Sequence, residues 1–563
     1  MADIAVMFIR AKRSVQNGRA YEYLQIVETF RDNGRVRQRI LASLGKLEDL
    51  RAEGKIDALA SSLAKFSDSA AVIGDHKRGA LETVSTRKIG PHLVFDRLWK
   101  QLGVGECVGE MLRDRRFQFD IEAAIYLTVL HRLMDPGSDR AAEKWRQEHA
   151  LSESVMSLDL HQLYRAMAWL GETLPDAEQK GRTPFAPRCV KDALEERLFA
   201  RRKDLFTEAA VVFFDTTSIY FEGKGGSTLG RHGHSKDHRP DLHQMVVGLV
   251  LDSGGRPVCC ELWPGNTTDV KSLVPIVDRL RERFHISEIT VVADRGMVSK
   301  ETVTELEKRD LGYILGARMR RDKTVRDEVL ADTAPFVEIV GPRKNAKDPS
   351  PLQVKEVDVD GRRYVVCFNE EQARKDAADR AAILDGLEKQ LARGDKSLVG
   401  NKGFRKFLKP CGARFEIDEA KIDAEAKFDG MWVLTTNLDD PAEEVARTYK
   451  MLWMVEALFR CVKSVLETRP IYHKCDETIR GHVFCSFLAL VVMRELQERM
   501  GDKGTTRAEW NDVLRDLDAL SETEVVSDDG RRFRIRSESR GWCGKAFQAV
   551  GVAMPPSCRT VSS

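Results

Sequence analysis

The apolar run Ile289-Thr290-Val291-Val292-Ala293 ends in Asp294-Arg295-Gly296, and a second run, Val211 to Phe214, delivers Asp215 into Thr216-Thr217-Ser218. Two strands therefore present carboxylates. An acid in or just beyond a buried strand costs free energy unless a cation or donor neutralises it, so the pair points to a shared divalent metal. A third acid stands far downstream, in Tyr449-Lys-Met-Leu452-Trp453-Met-Val-Glu456-Ala-Leu458-Phe459-Arg460-Cys-Val-Lys463. There Glu456 and Lys463 are seven residues, about two helical turns, apart on one face.

Outward from these acids, the pattern reads strand (Ala209 to Phe221), polar loop, strand (Gln244 to Leu251), Asp252-Ser-Gly-Gly turn and strand (Arg256 to Trp263). The tight turn makes the last two an antiparallel hairpin. A helix from Asp269, its expected N-cap, to Phe284 leads into the strand ending at Asp294. A helix from Ser299 to Arg309 and the strand Tyr313 to Ala317 follow. Three antiparallel strands followed by α-β-α-β is the order of the ribonuclease H fold. From Arg318 to Gly430 short strands such as Arg363 to Phe368 mix with a charged helix near Glu370 to Ala392, which reads as an insertion. The helix bearing Glu456 is expected to start at Asp440 as cap with Pro441 in its first turn, and to run to about Pro470. On a period of 3.6, Tyr449, Leu452, Trp453, Glu456, Phe459, Arg460 and Lys463 gather on one side of it. Trp453, Leu458 and Phe459 would give Glu456 apolar surroundings.

Upstream, Tyr21 to Glu28 and Arg35 to Leu41 alternate around Asp32-Asn33-Gly34, a strong hairpin signal. From about Gly90 to Leu174 the period turns helical, and the polar stretch Asp176 to Arg188 serves as a linker before a helix from Lys191 to Phe206. The fold class expected is α+β or α/β: a ribonuclease-H-like catalytic core interrupted by a β-rich insertion, behind a hairpin-plus-helical N-terminal region. The expected segments are 1–60 (hairpin), 61–205 (helical, DNA-binding), 206–317 (first part of the core), 318–430 (insertion), 431–500 (second part, with the Glu helix) and 501–563 (C-terminal).

The 563 residues exceed what one hydrophobic core usually supports, and 42% hydrophobic with 32% charged residues is a soluble, globular composition. No apolar stretch reaches the roughly 18 residues of a membrane span and no signal-peptide core is seen, so a cytoplasmic protein without membrane contact is expected. Eleven cysteines without a C-x-x-C pair argue for reduced thiols, with Cys259-Cys260 as strand packing.

A net charge of +2 neither predicts nor excludes nucleic acid, but its distribution is informative. Arg393 to Arg414 collects Lys402, Arg405, Lys406 and Lys409 among seven cations against one acid, with Phe404 and Phe407 interleaved. It reads either as a phosphate-tracking patch with a base-stacking aromatic or as a solvated face. The strand Arg531 to Arg536 carries the same two readings. His232, His234, His238 and His243 raise zinc, but no cysteine lies near and the spacing matches no closed tetrahedral site. Ser235, Lys236 and Arg239 suit phosphate or substrate contact instead, or the loop is merely polar.

Asp215-Thr-Thr-Ser, Gly233-His-Ser-Lys236-Asp-His-Arg-Pro240-Asp-Leu, Pro264-Gly-Asn-Thr-Thr-Asp269, Ala293-Asp294-Arg-Gly296-Met and the Tyr449 to Lys463 helix resemble, in this order, the DDE transposases of bacterial insertion sequences. More narrowly, they resemble the insertion-sequence-four-like superfamily with the signature Y-x2-R-x3-E-x6-K. The hairpin Leu24 to Leu41 with Ala42 to Gly45 is similar to the start of one of its families. The resemblance implies Asp215, Asp294 and Glu456 as catalytic metal ligands for Mg²⁺, with Mn²⁺ as a substitute. It implies Tyr449 and Lys463 on DNA phosphates, with Leu452 in place of the signature arginine and Arg460 as its stand-in. The implied activity is cleavage at the ends of an insertion sequence and strand transfer into target DNA. Terminal inverted repeats and target DNA would be the partners, and a homodimer would form in the DNA complex. The alternatives are a ribonuclease-H-like nuclease that does not join strands, and a DNA-binding regulator without catalysis.

Overall fold

The computed structural model describes residues 6–16, 19–32, 35–64, 66–179, 182, 186–202, 209–268, 272–286, 288–341, 350–392, 406–411, 414–501 and 507–561. Two compact units divide the chain, one of Pro91–Arg515 with Lys545–Val552, the other of Met1–Gly90, Asp516–Gly544 and Ala553–Ser563.

The larger unit is built on a sheet with nine strands among the described residues. In chain order they are β1 (Ala209–Tyr220), β2 (Gln244–Leu251), β3 (Pro257–Pro264), β4 (Glu288–Ala293), β5 (Gly312–Gly316), β6 (Val337–Val340), β7 (Leu352–Val359), β8 (Arg362–Phe368) and β9 (Met431–Thr436). Their spatial order is β6-β7-β8-β9-β5-β4-β1-β2-β3. β1, β2 and β3 are antiparallel, whereas β4 runs parallel to β1 and β5 parallel to β4. This is the ribonuclease-H-like arrangement read from the strand order. Strands from the 318–430 stretch extend the same sheet, because β9 pairs with both β5 and β8.

Six helices bear on the argument: α1 (Val190–Arg202), α2 (Leu273–Phe284), α3 (Lys300–Glu307), α4 (Glu370–Ala392), α5 (Ala442–Lys450) and α6 (Trp453–Arg460). A seventh, α7 (Asp476–Arg499), follows. The expected cap Asp269 lies outside the described residues, and α2 is preceded by Ser272. Strand periodicity sends Val212, Phe214, Val291, Ala293, Tyr313 and Leu315 to one face, where Ile276, Leu280, Val303 and Leu306 of α2 and α3 cover them. Burial of such apolar area stabilises the sheet by about 25 cal/mol per Å². α5 packs on β4, β5, β7 and β8, and α6 on β1 and β2. Their buried residues do not belong to the α2/α3 cluster.

α1 is tied to α2 and β3 by buried charges. Arg279 pairs with Asp192 at 2.8 Å and Glu261 at 2.9 Å, and Arg283 with Glu195 at 2.7 Å and Glu261 at 3.1 Å. Lys191 donates to Asp192 at 2.6 Å and to the Cys260 carbonyl at 2.7 Å. Each buried carboxylate here meets at least one cation, the condition under which buried charge is tolerated. All eleven cysteines are free, and Cys259 and Cys260 are buried strand residues.

In the smaller unit, strands Val6–Gln16, Arg19–Asp32 and Arg35–Lys46 form an antiparallel sheet; Asn33 and Gly34 of the expected turn lie outside the described residues. A second sheet pairs Leu81–Lys88 with Ser521–Ser527, then Arg532–Arg536 and Cys558–Val561. The arginines of that basic strand are matched by acids, Arg532 by Glu524 and Arg534 by Glu522 and Glu524, and Phe533 is buried. Its charges are largely answered within the unit. No described helix is long and apolar enough to cross a membrane.

Candidate active site

Asp215 and Asp294 are neighbours because their strands are. Phe214 of β1 is in parallel register with Ala293 of β4, so Asp215 and Asp294 each come next after a paired residue, Asp215 still in β1 and Asp294 just past the end of β4. Both follow residues packed under α2 and α3, so strand alternation turns them to the opposite face. Lys236 Nζ stands 4.0 Å from Asp215 Oδ1 while donating to the Thr216 carbonyl at 2.7 Å and its hydroxyl at 2.9 Å.

Tyr449 lies at the end of α5 and donates its hydroxyl to Asp294 Oδ1 at 3.0 Å. Burial and then the Asp294 charge push the phenol pKa well upward, so the hydroxyl remains a donor across the neutral range. Tyr449 was expected on a DNA phosphate; here its hydroxyl meets the Asp294 carboxylate. Gly316 makes room for it. A Cβ at that position would lie 2.6 Å from the Tyr449 hydroxyl and 2.8 Å from the Arg295 amide nitrogen. Sequence reading missed this glycine, although its place on the strand beside Asp294 is the signal.

The segment expected as one helix from Asp440 to Pro470 is broken. Pro441 is the N-cap of α5, and at Met451 and Leu452 the bonding becomes i to i−3, with Leu452 N to Tyr449 O and Val455 N to Leu452 O both at 3.0 Å. After α6, Cys461–Val465 forms a π-turn closed by Leu466 N to Cys461 O at 2.8 Å. The wider turn shifts the facing of residues beyond it, so Lys463 does not continue the Glu456 stripe.

Glu456 is exposed, as are Trp453 at 56% and Arg460, whereas Leu452, Val455, Leu458 and Phe459 are buried. The apolar surroundings expected for Glu456 are therefore corrected. At about 100° per residue, positions 453, 456 and 460 gather on one side and 455 and 458 on the other, with Phe459 at the edge between them, about 60° from Glu456. α6 nonetheless packs on β1, which carries Asp215.

Lys463 turns to Asp237, donating to Oδ1 at 2.7 Å, and Arg469 meets the same oxygen at 2.6 Å. Asp237 is 5% exposed at its side chain, and burial pushes the Lys463 pKa down against the pull of that carboxylate. Arg239 is held by both oxygens of Asp241, at 3.0 and 2.9 Å. The loop before them is pinned by Asp476 at the start of α7, which accepts from the Ser227 and Thr228 hydroxyls at 2.7 and 2.8 Å. Neither Asp237 nor Asp476 stood out in the sequence as a clamp, since their partners lie more than 200 residues away.

His232 and His243 pack ring on ring at 4.1 Å between centroids. Of the basic stretch, Lys402 and Arg405 lie outside the described residues. Lys406 pairs with Glu425 at 3.4 Å, and Lys409 is exposed on the strand Leu408–Cys411. Phe407 is buried, which removes it as a base-stacking residue.

Paired carboxylates on one face form a hard-oxygen donor set of the kind that suits Mg²⁺ or Mn²⁺ and not a soft metal. Among the described residues the one group of three metal-ligand types whose atoms lie within 4.8 Å of one another is Asp139, His473 and His482; Asp215, Asp294 and Glu456 do not draw that close. There Arg132 already donates to His482 Nδ1 at 2.7 Å, a cation where a metal would need a free lone pair.

Residues 207–492 match the family model described as transposase DDE domain, just over half of the chain, and residues 9–72 match the IS1634 family transposase, N-terminal domain. No curated protein matches the sequence.

Proposed function

The chain belongs to the DDE transposases, enzymes that act on DNA, and from that premise we propose that it cuts the ends of its own insertion sequence and joins the freed 3′-hydroxyls to target DNA. The observation that carries this reading is the position of Asp215 and Asp294, each immediately after the register pair Phe214 and Ala293 of adjacent parallel strands. Glu456 is proposed as the third acid, on a helix packed against the Asp215 strand.

Divalent metal is general to this family; Mg²⁺, with Mn²⁺ as a substitute, is the ion proposed for Asp215, Asp294 and Glu456. When bound it activates the attacking oxygen and neutralises the leaving one. Tyr449 holds Asp294 in one orientation, so the carboxylate need not reorganise during reaction. Arg460, exposed one turn beyond Glu456, presents a guanidinium fork suited to a phosphate. Asp237 fastens the segment after α6 to the loop that carries Lys236 and Arg239. Release of Lys463 or Arg469 to DNA would require exchange of this carboxylate for a phosphate.

The N-terminal region is proposed to read terminal inverted repeats, a role that the match over residues 9–72 supports. Bringing two ends together implies a homodimer in the DNA complex. The test uses pre-cleaved duplexes carrying the DNA that flanks the coding region, with supercoiled plasmid as target. Joined products are expected; cleavage of intact ends with no joining would reduce the enzyme to a nuclease.

A further inference from the structure

The cations first expected to meet DNA are largely answered by acids within the chain: Lys463 by Asp237, Arg239 by Asp241 and Lys406 by Glu425. A different set is not. Beside the turn that follows Asp294, a cavity of about 490 Å³ is lined by Lys300, Arg318, Arg321, Lys323 and Arg362, with Asp322 as its one acid. That volume lies within the range of about 300–1,000 Å³ typical of ligand sites.

Among the described residues no carboxylate oxygen lies within ion-pair distance of Lys300, Arg321 or Lys323; Glu301 and Asp327 act on Lys300 and Lys323 only at longer range, and Asp327 is held by Arg326. Asp322 Oδ1 accepts from the Thr324 amide at 3.1 Å, and Arg362 stands 3.8 Å from Glu307. Like charges that converge on a concave wall repel one another, and low-dielectric walls focus their potential. An anion recovers that cost.

The cavity is coupled to the catalytic turn by Arg318, whose Nε donates to the Arg295 carbonyl at 3.0 Å and Nη2 to the Gly296 carbonyl at 3.3 Å. Those carbonyls belong to the two residues after Asp294. Its other walls come from α3, β8 and β9, on the sheet face that α3 covers.

We propose that this cavity binds the phosphate backbone of duplex DNA beside the Asp294 turn, with Lys300, Arg321 and Lys323 as the phosphate contacts. The proposal rests on the transposase reading for the identity of its anion. The source is either the element's own end or target DNA, and the two arms of the test separate them.

The test uses the full-length protein, wild type and K300A/R321A/K323A, with K300R/R321K/K323R as the charge-keeping control. Binding to an end duplex from the flanking DNA and to a random duplex of equal length is measured from low to moderate salt. Cleavage of intact ends and joining of pre-cleaved ends are measured in parallel. The alanine variant is expected to lose about 0.9 in the slope of log K against log salt for each contact removed, while the control keeps the wild-type slope. A slope change confined to the end duplex assigns the cavity to element ends. A slope change on the random duplex with loss of joining and intact end cleavage assigns it to target DNA. An unchanged slope on both duplexes, with wild-type cleavage and joining, overturns the proposal while leaving the transposase reading intact. If wild type neither cleaves nor joins, that reading fails, and the binding slopes still decide the cavity.

Discussion

Replacing Tyr449 with phenylalanine removes one oxygen and tests whether the orientation of Asp294 matters to the chemistry. The lost hydrogen bond is 3.0 Å long and ends on a carboxylate, in a place where Gly316 leaves little spare room. Hydrogen bonds to charged groups are worth about 1.5–3 kcal/mol. If that full value is expressed in the transition state, cleavage slows by about 10- to 150-fold, at 1.36 kcal/mol per decade. The assay is single-turnover cleavage of an end duplex across a Mg²⁺ titration, with DNA affinity measured separately. Tyr449→Phe is expected to lower the rate, shift the metal requirement upward and leave DNA affinity near wild type. Gly316→Ala is the companion. In the Tyr449→Phe background its Cβ no longer meets the hydroxyl but still meets the Arg295 amide nitrogen, so the double variant should recover little. Wild-type rates for Tyr449→Phe at every Mg²⁺ concentration would refute the orienting role.

Three further outcomes follow from burial and charge. His131 is held at a pKa of about 4 by burial first and then by the neighbouring Arg132, against about 6.5 when unfolded. The unfolded chain therefore binds more protons between these values, so stability falls as pH drops from 6.5 towards 4. The contribution is about 2 kcal/mol by pH 5, and thermal melts of His131→Leu should show a shallower acid slope. Arg283→Ala would strip cations from Glu195 and Glu261, and chemical denaturation is expected to show a loss of about 3–5 kcal/mol, more than most single substitutions cause. Asp237→Asn should lower the melting temperature more than Lys463→Gln, since the first leaves two cations facing each other and the second leaves the Arg469–Asp237 pair in place.

Much of the catalytic sheet was legible because its strands announce themselves. Gln244–Leu251 carries the limits read from its apolar run, and Asp215 and Asp294 were identified by their places at the ends of such runs. Strand order then made their adjacency a consequence of topology. The Glu456 segment was less legible, since neither proline nor glycine marks the break at Met451 and Leu452, and a π-turn has no sequence signature. Helical periodicity gathered buried Phe459 with exposed Glu456 because the two are three residues apart in α6, on either side of the boundary between its buried and exposed faces. Long-range pairings were invisible to local pattern: Leu81–Lys88 meets Ser521–Ser527, and strands from 318–430 continue the core sheet. The acids that meet the basic residues, such as Asp237 for Lys463 and Glu425 for Lys406, were not legible because they are distant in sequence.

The most direct test of the three-acid site is the set Asp215→Asn, Asp294→Asn and Glu456→Gln, which keep side-chain shape and remove ligand charge. End cleavage and joining are measured in Mg²⁺ and in Mn²⁺, alongside binding to the same end duplex. Each variant is expected to lose both reactions while binding the duplex with near wild-type affinity, because phosphate contacts come from other residues. Near-normal cleavage by any one of them, Glu456→Gln above all, would contradict the assignment of that acid to the site.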